Sequence, residues 1–187
     1  RQAFPHIDDI QVLTPMHKGN AGTVNLNRLL QSVLNPAEGG IENKGSTFKT
    51  GDKVMHLKNN YEKDVFNGDI GTVVDVSKGE GRVSVDYYGR VVDYDVGELD
   101  DLTLAYTISV HKSQGSEYSA VIVALNSSHY PLLQRNLLYT AITRGKDLVI
   151  LIGQKKALST ALTNNKSRLR RSGLRRRLED SKPSARF

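Results

Sequence analysis

This chain of 187 residues has no cysteine and no tryptophan, and few aromatic residues overall. Without cysteine, neither a disulfide framework nor a thiolate metal site is possible. No apolar run approaches the roughly 20 residues that a membrane-spanning helix requires, and no secretory signal peptide is visible. These absences favour a protein of the reducing cytoplasm without membrane contact, and the first residue, Arg1 rather than methionine, suggests a fragment of a longer protein.

Several catalytic signatures are missing as well. The chain has neither a GxxxxGK[ST] phosphate-binding loop nor a GxSxG nucleophile motif. No acidic pair follows an apolar strand, as a magnesium site of a nucleotide hydrolase would require, because Asp100 and Asp101 precede theirs. The five histidines are scattered along the chain. The sequence therefore predicts no metal site of its own.

The net charge of +6 is concentrated at one end of the chain. Residues 166–187 contain nine lysines and arginines against two acidic residues, so residues 1–165 are close to neutral. A basic tail of this kind is usually a solvated chain end. Its binding to polyanions would be non-specific and sensitive to salt.

Changes in the apolar pattern divide the chain into four regions: residues 1–47, 48–99, 100–165 and 166–187. The first region predicts a buried strand at 10–14 and a helix at 23–34, where apolar residues recur at helical spacing. The second has short β-branched runs separated by Gly-rich turns, at residues 53–57, 69–77, 82–87 and 90–94. Strands of this length predict a small barrel of the SH3-like or OB kind.

The third region predicts three strands and two helices. The strands lie at residues 102–109, 120–125 and 147–153, and the helices at 131–142 and 155–163. The continuous apolar run at 120–125 suits a parallel sheet. Because the α/β pattern occurs on both sides of the barrel, the simplest architecture is one α/β domain with a small barrel inserted into it.

A cluster of polar residues follows the first of these strands. Polar groups at the carboxyl end of a strand are where open α/β sheets hold ligands. The cluster offers cations for phosphates, a hydroxyl, an amide, a flexible glycine and a carboxylate for sugar hydroxyls, from His111, Lys112, Ser113, Gln114, Gly115 and Glu117. It could bind a nucleotide, a nucleic-acid backbone or both, and the alternative is an ordinary polar loop with a helix cap.

Arg144 lies at a second polar junction, between a helix and the next strand. An arginine there can reach across an interface and neutralise charge on a transferring phosphoryl group. The alternative is a surface arginine that pairs with Asp147 or with a helix end.

Two loops offer further candidates. Asn60, Tyr61 and the Asn-Gly-Asp sequence that begins at Asn67 lie in the first long loop of the barrel. Hairpin chemistry alone explains such a sequence, although Tyr61 and Phe66 could instead stack on exposed bases. In the first region, a Gly-rich loop at a helix start could offer backbone amides to a phosphate, with Lys18 adding charge.

Four stretches resemble, in order, the carboxyl half of the RecD-like helicases of superfamily 1, the exodeoxyribonuclease V alpha-subunit family. They are IQVLTPMHKGNAGTVNLNRLLQ, GDKVMHLKNNYEKDVFNGDIGTV, LAYTISVHKSQGSEYSAVIVAL and LLYTAITRGKDLVILIG. The resemblance runs from about residue 10 to about residue 178. It implies a second RecA-like α/β domain of the P-loop-NTPase type, lacking its own P-loop, with an SH3-like barrel inserted at residues 48–99.

The resemblance also implies roles for individual residues. Arg144 falls on the arginine finger of the family. The nucleotide side would comprise Lys18, Gln114, Gly115 and Glu117. The side that contacts single-stranded DNA would comprise Ser109, His111, Lys112, Asn60, Tyr61 and Asn67.

The resemblance implies an ATP-dependent 5′–3′ DNA helicase of the recombination or repair type. ATP and Mg²⁺ would lie between this domain and a first RecA-like domain that the chain lacks, together with the P-loop, the magnesium carboxylate and the water-orienting base. The partners are therefore expected to be single-stranded DNA and that first domain, and the isolated chain is expected to be inactive. The alternative is a non-enzymatic module in which barrel and tail hold single-stranded nucleic acid.

Overall fold

Two large β-sheets and one two-stranded sheet organise residues 9–165, which, with positions 173 and 177, are the residues that our computed structural model describes. The predicted tail, residues 166–187, otherwise lies outside the described residues. The strands are β1 (Ile10–Thr14), β2 (Ile41–Asn43), β3 (Ser46–Phe48), β4 (Lys53–His56), β5 (Ile70–Ser77), β6 (Arg82–Tyr87), β7 (Arg90–Asp95), β8 (Leu102–Leu104), β9 (Thr107–Ser109), β10 (Tyr118–Leu125) and β11 (Gly145–Gly153). The α-helices are α1 (Thr23–Leu34), α2 (Arg135–Ile142) and α3 (Lys155–Thr163). Among the described helices, none is long and apolar enough to cross a membrane.

The first sheet is parallel throughout and has the strand order β11-β10-β1-β9. One face packs against α2 and α3 in a core that includes Leu13, Val121, Val123, Leu137 and Ala157. The parallel α/β sheet expected from the sequence is confirmed. Its opposite face is only partly covered by α1, and Ile150 and Ile152 remain considerably exposed there, although parallel sheets usually bury both faces.

The second sheet is antiparallel, with the order β7-β6-β5-β4-β8, and forms the inserted barrel. Its separate core is built on side chains such as Phe48, Val54, Val85 and Tyr94. Tyr87, the last residue of β6, is buried, whereas Tyr88 lies in the turn that follows, where its φ is +57°, and is exposed.

The prediction of a single strand at residues 102–109 is wrong, because the structure contains two strands there. The first, β8, pairs antiparallel with β4 in the barrel, and the second, β9, pairs parallel with β1. Between them, the carbonyls of Ala105 and Tyr106 accept hydrogen bonds from the buried Gln11 amide at 3.0 and 3.2 Å. The chain changes sheets at this point, which an uninterrupted apolar pattern does not reveal.

Helix α1 has the predicted bounds, but the face it buries is polar. Its buried residues are Thr23, Asn27 and Gln31, at a spacing of four. Val24 and Val33, by contrast, are 70% and 75% exposed. Since apolar spacing predicts the helix but not which side packs inward, tertiary contacts determine its orientation.

Two buried histidines make the stability of this fold sensitive to acid. His56 lies in the barrel, with Nδ1 3.2 Å from the Tyr94 hydroxyl, and His129 accepts a hydrogen bond from the Asn126 amide at 3.2 Å. Burial lowers the pKa of both imidazoles below the ordinary value of 6.5, and for His56 it outweighs nearby carboxylates, chiefly that of Asp101.

We therefore expect the folded chain to lose stability as the pH falls below about 6.5. The unfolded chain takes up protons there that the folded chain binds only at lower pH, so the free energy of unfolding is highest above 6.5 and declines toward the lowered pKa values. Thermal unfolding midpoints measured between pH 8 and 5 check this. His56→Gln should flatten the decline, and an identical decline in that variant would contradict the assignment to His56.

Candidate nucleotide and nucleic-acid site

An eight-residue turn at residues 110–117 crosses the parallel sheet from the carboxyl ends of its strands to their amino ends. We call these two ends of the sheet the carboxyl edge and the amino edge. The turn begins at Ser109, the carboxyl end of β9, which pairs with Thr14. It ends at the amino end of β10, where Tyr118 pairs with Gly145. The turn is held internally, since the buried Ser113 hydroxyl donates to the Val110 carbonyl at 2.9 Å, and Gly115 has a φ of +88° that favours glycine. The predicted polar cluster therefore runs from one end of the sheet to the other, and its Glu117 end shares a cavity with barrel residues that include Gly68 and Asp69.

At the amino edge of the sheet, the Arg144 guanidinium contacts this turn. Its Nη1 donates to the Ser116 carbonyl at 3.0 Å and its Nε to the Thr140 carbonyl at 3.2 Å. Nη2 lies 3.3 Å from the Thr143 hydroxyl. The helix-end contact considered for this arginine is thus present. A guanidinium has five N–H donors, so two remain that could contact an anion.

Glu117 lies on the same edge, one residue beyond the carbonyl that Arg144 contacts. Its carboxylate is 3.4 Å from the ammonium group of Lys146, and both side chains are more than half exposed. An exposed pair of this kind contributes little free energy, so the carboxylate is accessible to sugar hydroxyls. Gln114 and Gly115 are exposed on the turn between the two edges. The structure therefore brings Arg144 and Glu117 together.

Lys18 is not brought to this edge. Its loop follows the carboxyl end of β1, about 13 Å along a five-residue strand from the amino end. The first amides of α1 are already bonded, Thr23 to the Met16 carbonyl and Val24 to the His17 carbonyl at 3.0 and 3.2 Å. The proposed phosphate contact through these amides has no support in this geometry.

The carboxyl edge brings residues of the α/β domain and of the barrel into contact. The Lys112 ammonium donates to the Asn67 side chain at 2.6 Å. The Ser109 hydroxyl is buried and accepts the Lys112 amide at 3.3 Å, while His111 is exposed. The structure thus joins residues that are 45 positions apart into one polar surface.

The barrel loop adds an exposed aromatic pair. Tyr61 is 78% exposed, and its ring lies edge-on to that of Phe66, with centroids 5.9 Å apart. Asn60 has a structural role, because its side-chain oxygen accepts the amides of Glu62 and Lys63 at 3.1 and 3.0 Å. The hairpin interpretation therefore explains Asn60, whereas no hydrogen bond is found for the Tyr61 side chain among the described residues.

Sequence reasoning missed three contacts of this site. The Asn59 side chain accepts the Asn67 amide at 3.0 Å, Lys146 approaches Glu117, and the Ser116 carbonyl holds Arg144. The doubled asparagine was a usable signal for the first. A backbone carbonyl leaves no signal, because every residue type carries one.

Metal-binding side chains are not clustered in the described part of the chain. Across residues 9–165, no three His, Cys, Asp or Glu side chains are placed to bind one. What the edge offers a nucleoside triphosphate is a guanidinium for phosphate oxygens and a carboxylate for the sugar. This donor set fits part of a nucleotide.

Two family models match the chain. Residues 26–87 match the ATP-dependent RecD-like DNA helicase SH3 domain, and residues 104–152 match the UvrD-like helicase C-terminal domain. The "ATP-dependent RecD2 DNA helicase" of Deinococcus radiodurans is 43% identical over 81% of this chain. The "RecBCD enzyme subunit RecD" of Mycolicibacterium smegmatis is 32% identical over 95%. The chain spans 21% and 31% of the length of these two relatives.

Solved structures share the fold. Pif1 helicase from Bacteroides, in a complex with ADP-AlF3 and ssDNA, has a TM-score of 0.58 at 15% identity, covering 90% of this chain and 44% of that one. Bacteroides Pif1 bound to ssDNA has a TM-score of 0.52 at 18% identity, covering 76% and 40%. At these identities the likeness concerns the architecture alone, an α/β domain with a small barrel.

Proposed function

Since this chain is a RecD-like helicase segment that joins the family's SH3 domain to a UvrD-like C-terminal domain, we propose that it is the second motor domain of an ATP-dependent DNA helicase. The longer protein would move 5′ to 3′ on single-stranded DNA. A first motor domain would supply the phosphate-binding loop and the carboxylate for Mg²⁺, neither of which this chain provides.

The observation that carries the proposal is the turn at residues 110–117. It starts at the edge where Lys112 meets the barrel and ends beside Arg144 at the other edge. A change in nucleotide contact at one end can therefore move groups that contact the strand at the other. Such a connection is what a motor requires, and an isolated binding module would not need it.

On the nucleotide side, Arg144 acts as the arginine finger. It would donate its two remaining N–H groups to the phosphoryl group being transferred, whose charge becomes more spread out in the transition state. Glu117 would accept hydrogen bonds from the sugar, with Gln114 and Gly115 shaping the turn. Lys18 would have to reach the same nucleotide from the opposite edge, so we assign no step to it.

On the strand side, the surface formed by His111, Lys112, Asn67 and Tyr61 would contact single-stranded DNA. Cationic and amide groups suit the phosphate backbone, and an exposed tyrosine suits a base. Ser109 and Asn60 would support this surface indirectly, because their side chains accept hydrogen bonds from the backbone amides of nearby residues.

We expect the purified 187-residue chain to hydrolyse no ATP above background, with or without single-stranded DNA. Arg144 can stabilise a transition state only when another domain holds the phosphates and Mg²⁺ beside it. A coupled phosphate-release assay measures this, with the longer protein as the positive control. Turnover by the chain alone that Arg144→Ala abolishes would refute the proposal that its site is incomplete.

A second candidate is a binding module without a motor role, favoured by the exposed Tyr61–Phe66 pair. The two candidates differ in the parent protein. A motor requires a GxxxxGK[ST] strand-loop-helix upstream of Arg1 and ATP-dependent strand separation, whereas a module requires only binding to single-stranded nucleic acid.

A further inference from the structure

The buried polar side of α1 holds both connections between the barrel and the α/β domain. The outgoing connection runs through residues 47–53 and the returning one through residues 104–107. We call the side chains that hold them the α1 seam, which comprises Asn27, Gln31, Asn35, Asp52 and Tyr106.

Asn27 fixes the returning connection at the start of β9. Its Nδ2 donates to the carbonyls of Leu104 and Thr107, both at 2.9 Å, and its Oδ1 accepts the Thr107 amide at 2.7 Å. All of these bonds are buried, and losing a buried bond costs more than an exposed one. Two residues further along, β9 ends at Ser109, where the turn at residues 110–117 begins.

Asp52 fixes the outgoing connection and joins it to the returning one. Its fully buried carboxylate accepts hydrogen bonds from Gln31 at 2.6 Å, Asn35 at 2.7 Å, the Lys49 amide at 2.8 Å and the Tyr106 hydroxyl at 2.9 Å. Gln31 also donates to the Thr47 carbonyl at 2.7 Å and Asn35 to the Thr50 carbonyl at 3.0 Å. One carboxylate thus ties α1 to both connections.

The hydrogen bonds of the α1 seam also specify the orientation of the barrel relative to the α/β domain. A buried charge held by directional hydrogen bonds often contributes less stability than apolar packing would, but it specifies one geometry. Apolar contacts, such as those of Met55 and Ile70 with the core of the α/β domain, resist tilting of the barrel less than directional bonds do, and four donors converging on one carboxylate fix its orientation. At the far side of the barrel, that orientation places Asn67 against Lys112.

We propose that Asp52 is a positioning residue that makes barrel and α/β domain move as one body, so that motion of the motor domain reaches the strand-binding loop. The proposal rests on the proposed helicase function. Without the α1 seam the barrel would tilt independently, and ATP would be hydrolysed with less strand movement per cycle.

The test compares Asp52→Asn with Asp75→Asn in the longer protein. Asp75 is an exposed aspartate on the same barrel and serves as the matched control. Asparagine keeps the shape of Asp52 but faces converging donors with an NH₂ group. We expect DNA-stimulated ATP turnover to stay within about twofold of the parent value, while the number of strands separated per ATP falls at least about fivefold. A merely structural role would leave the number of strands separated per ATP unchanged.

The number of strands separated per ATP also shows when the positioning role is wrong. If turnover and strand separation fall in proportion, or if neither changes, the positioning role is refuted. Should Asp52→Asn fail to fold, Tyr106→Phe removes the hydroxyl that donates to Asp52 while leaving the carboxylate in place, and the same criterion applies with a smaller drop.

A measurement on the 187-residue chain distinguishes failure of this proposal from failure of the proposed helicase function. Residual dipolar couplings should fit one alignment tensor for barrel and α/β domain in the unmodified chain and two in Asp52→Asn. A single tensor in the variant refutes the positioning role. A parent protein that separates no strands would refute the helicase function instead, whatever the couplings show.

Discussion

Arg144→Ala in the longer protein is expected to lower the kcat for ATP hydrolysis by about 10³-fold or more. Arginine fingers have effects of this size because they neutralise charge on the phosphoryl group in the transition state. KM for ATP and affinity for single-stranded DNA should change little, since no hydrogen bond of the Arg144 side chain involves a residue of the proposed strand-binding surface. Steady-state kinetics and DNA-binding measurements on the same preparation check both parts.

Arg135→Ala is the matched control for this experiment. Arg135 begins the helix that Arg144 follows, and its guanidinium bonds only to the Leu162 carbonyl among the described residues, at 3.1 and 3.2 Å. It should leave kcat near the parent value. Arg144→Lys should recover little activity, because a lysine cannot hold the Ser116 and Thr140 carbonyls and a phosphate together. A loss below about tenfold in Arg144→Ala would refute the assignment of the finger.

Tyr61→Ala is expected to weaken binding of single-stranded DNA by the 187-residue chain by at least about fivefold. Stacking of one base on an aromatic ring is worth roughly 1–3 kcal/mol, and Tyr61 is available for such stacking. Fluorescence anisotropy with a labelled oligonucleotide at fixed salt measures this. Tyr61→Phe keeps the ring and should retain most of the affinity.

Tyr130→Ala is the control for Tyr61→Ala, since Tyr130 is similarly exposed, at 73%, but precedes α2 in the α/β domain. Its affinity should match that of the unmodified chain. The thermal midpoint of Tyr61→Ala should be measured too, because losing the contact with Phe66 could loosen the loop itself. Unchanged affinity in Tyr61→Ala would exclude base stacking on this ring.

Several local elements were predictable because each has a strong pattern of its own. The helix at 23–34 and the strand at 10–14 agree with the structure to the residue, since apolar spacing and flanking glycine or proline mark them. The strand at 102–109 was not, because the chain passes from one sheet to another within a continuous apolar run. Pairing partners, not residue types, make that distinction.

The sequence by itself determined that an α/β domain carries a small barrel, that no phosphate-binding loop is present, and which polar residues are candidates for chemistry. Those properties depend on local composition, spacing and motif order. The tertiary structure alone decided that Arg144 and Glu117 share one edge, that Lys112 meets Asn67 at the other, and that α1 buries its polar side. These are contacts between residues distant in sequence, and they depend on how the chain folds back on itself.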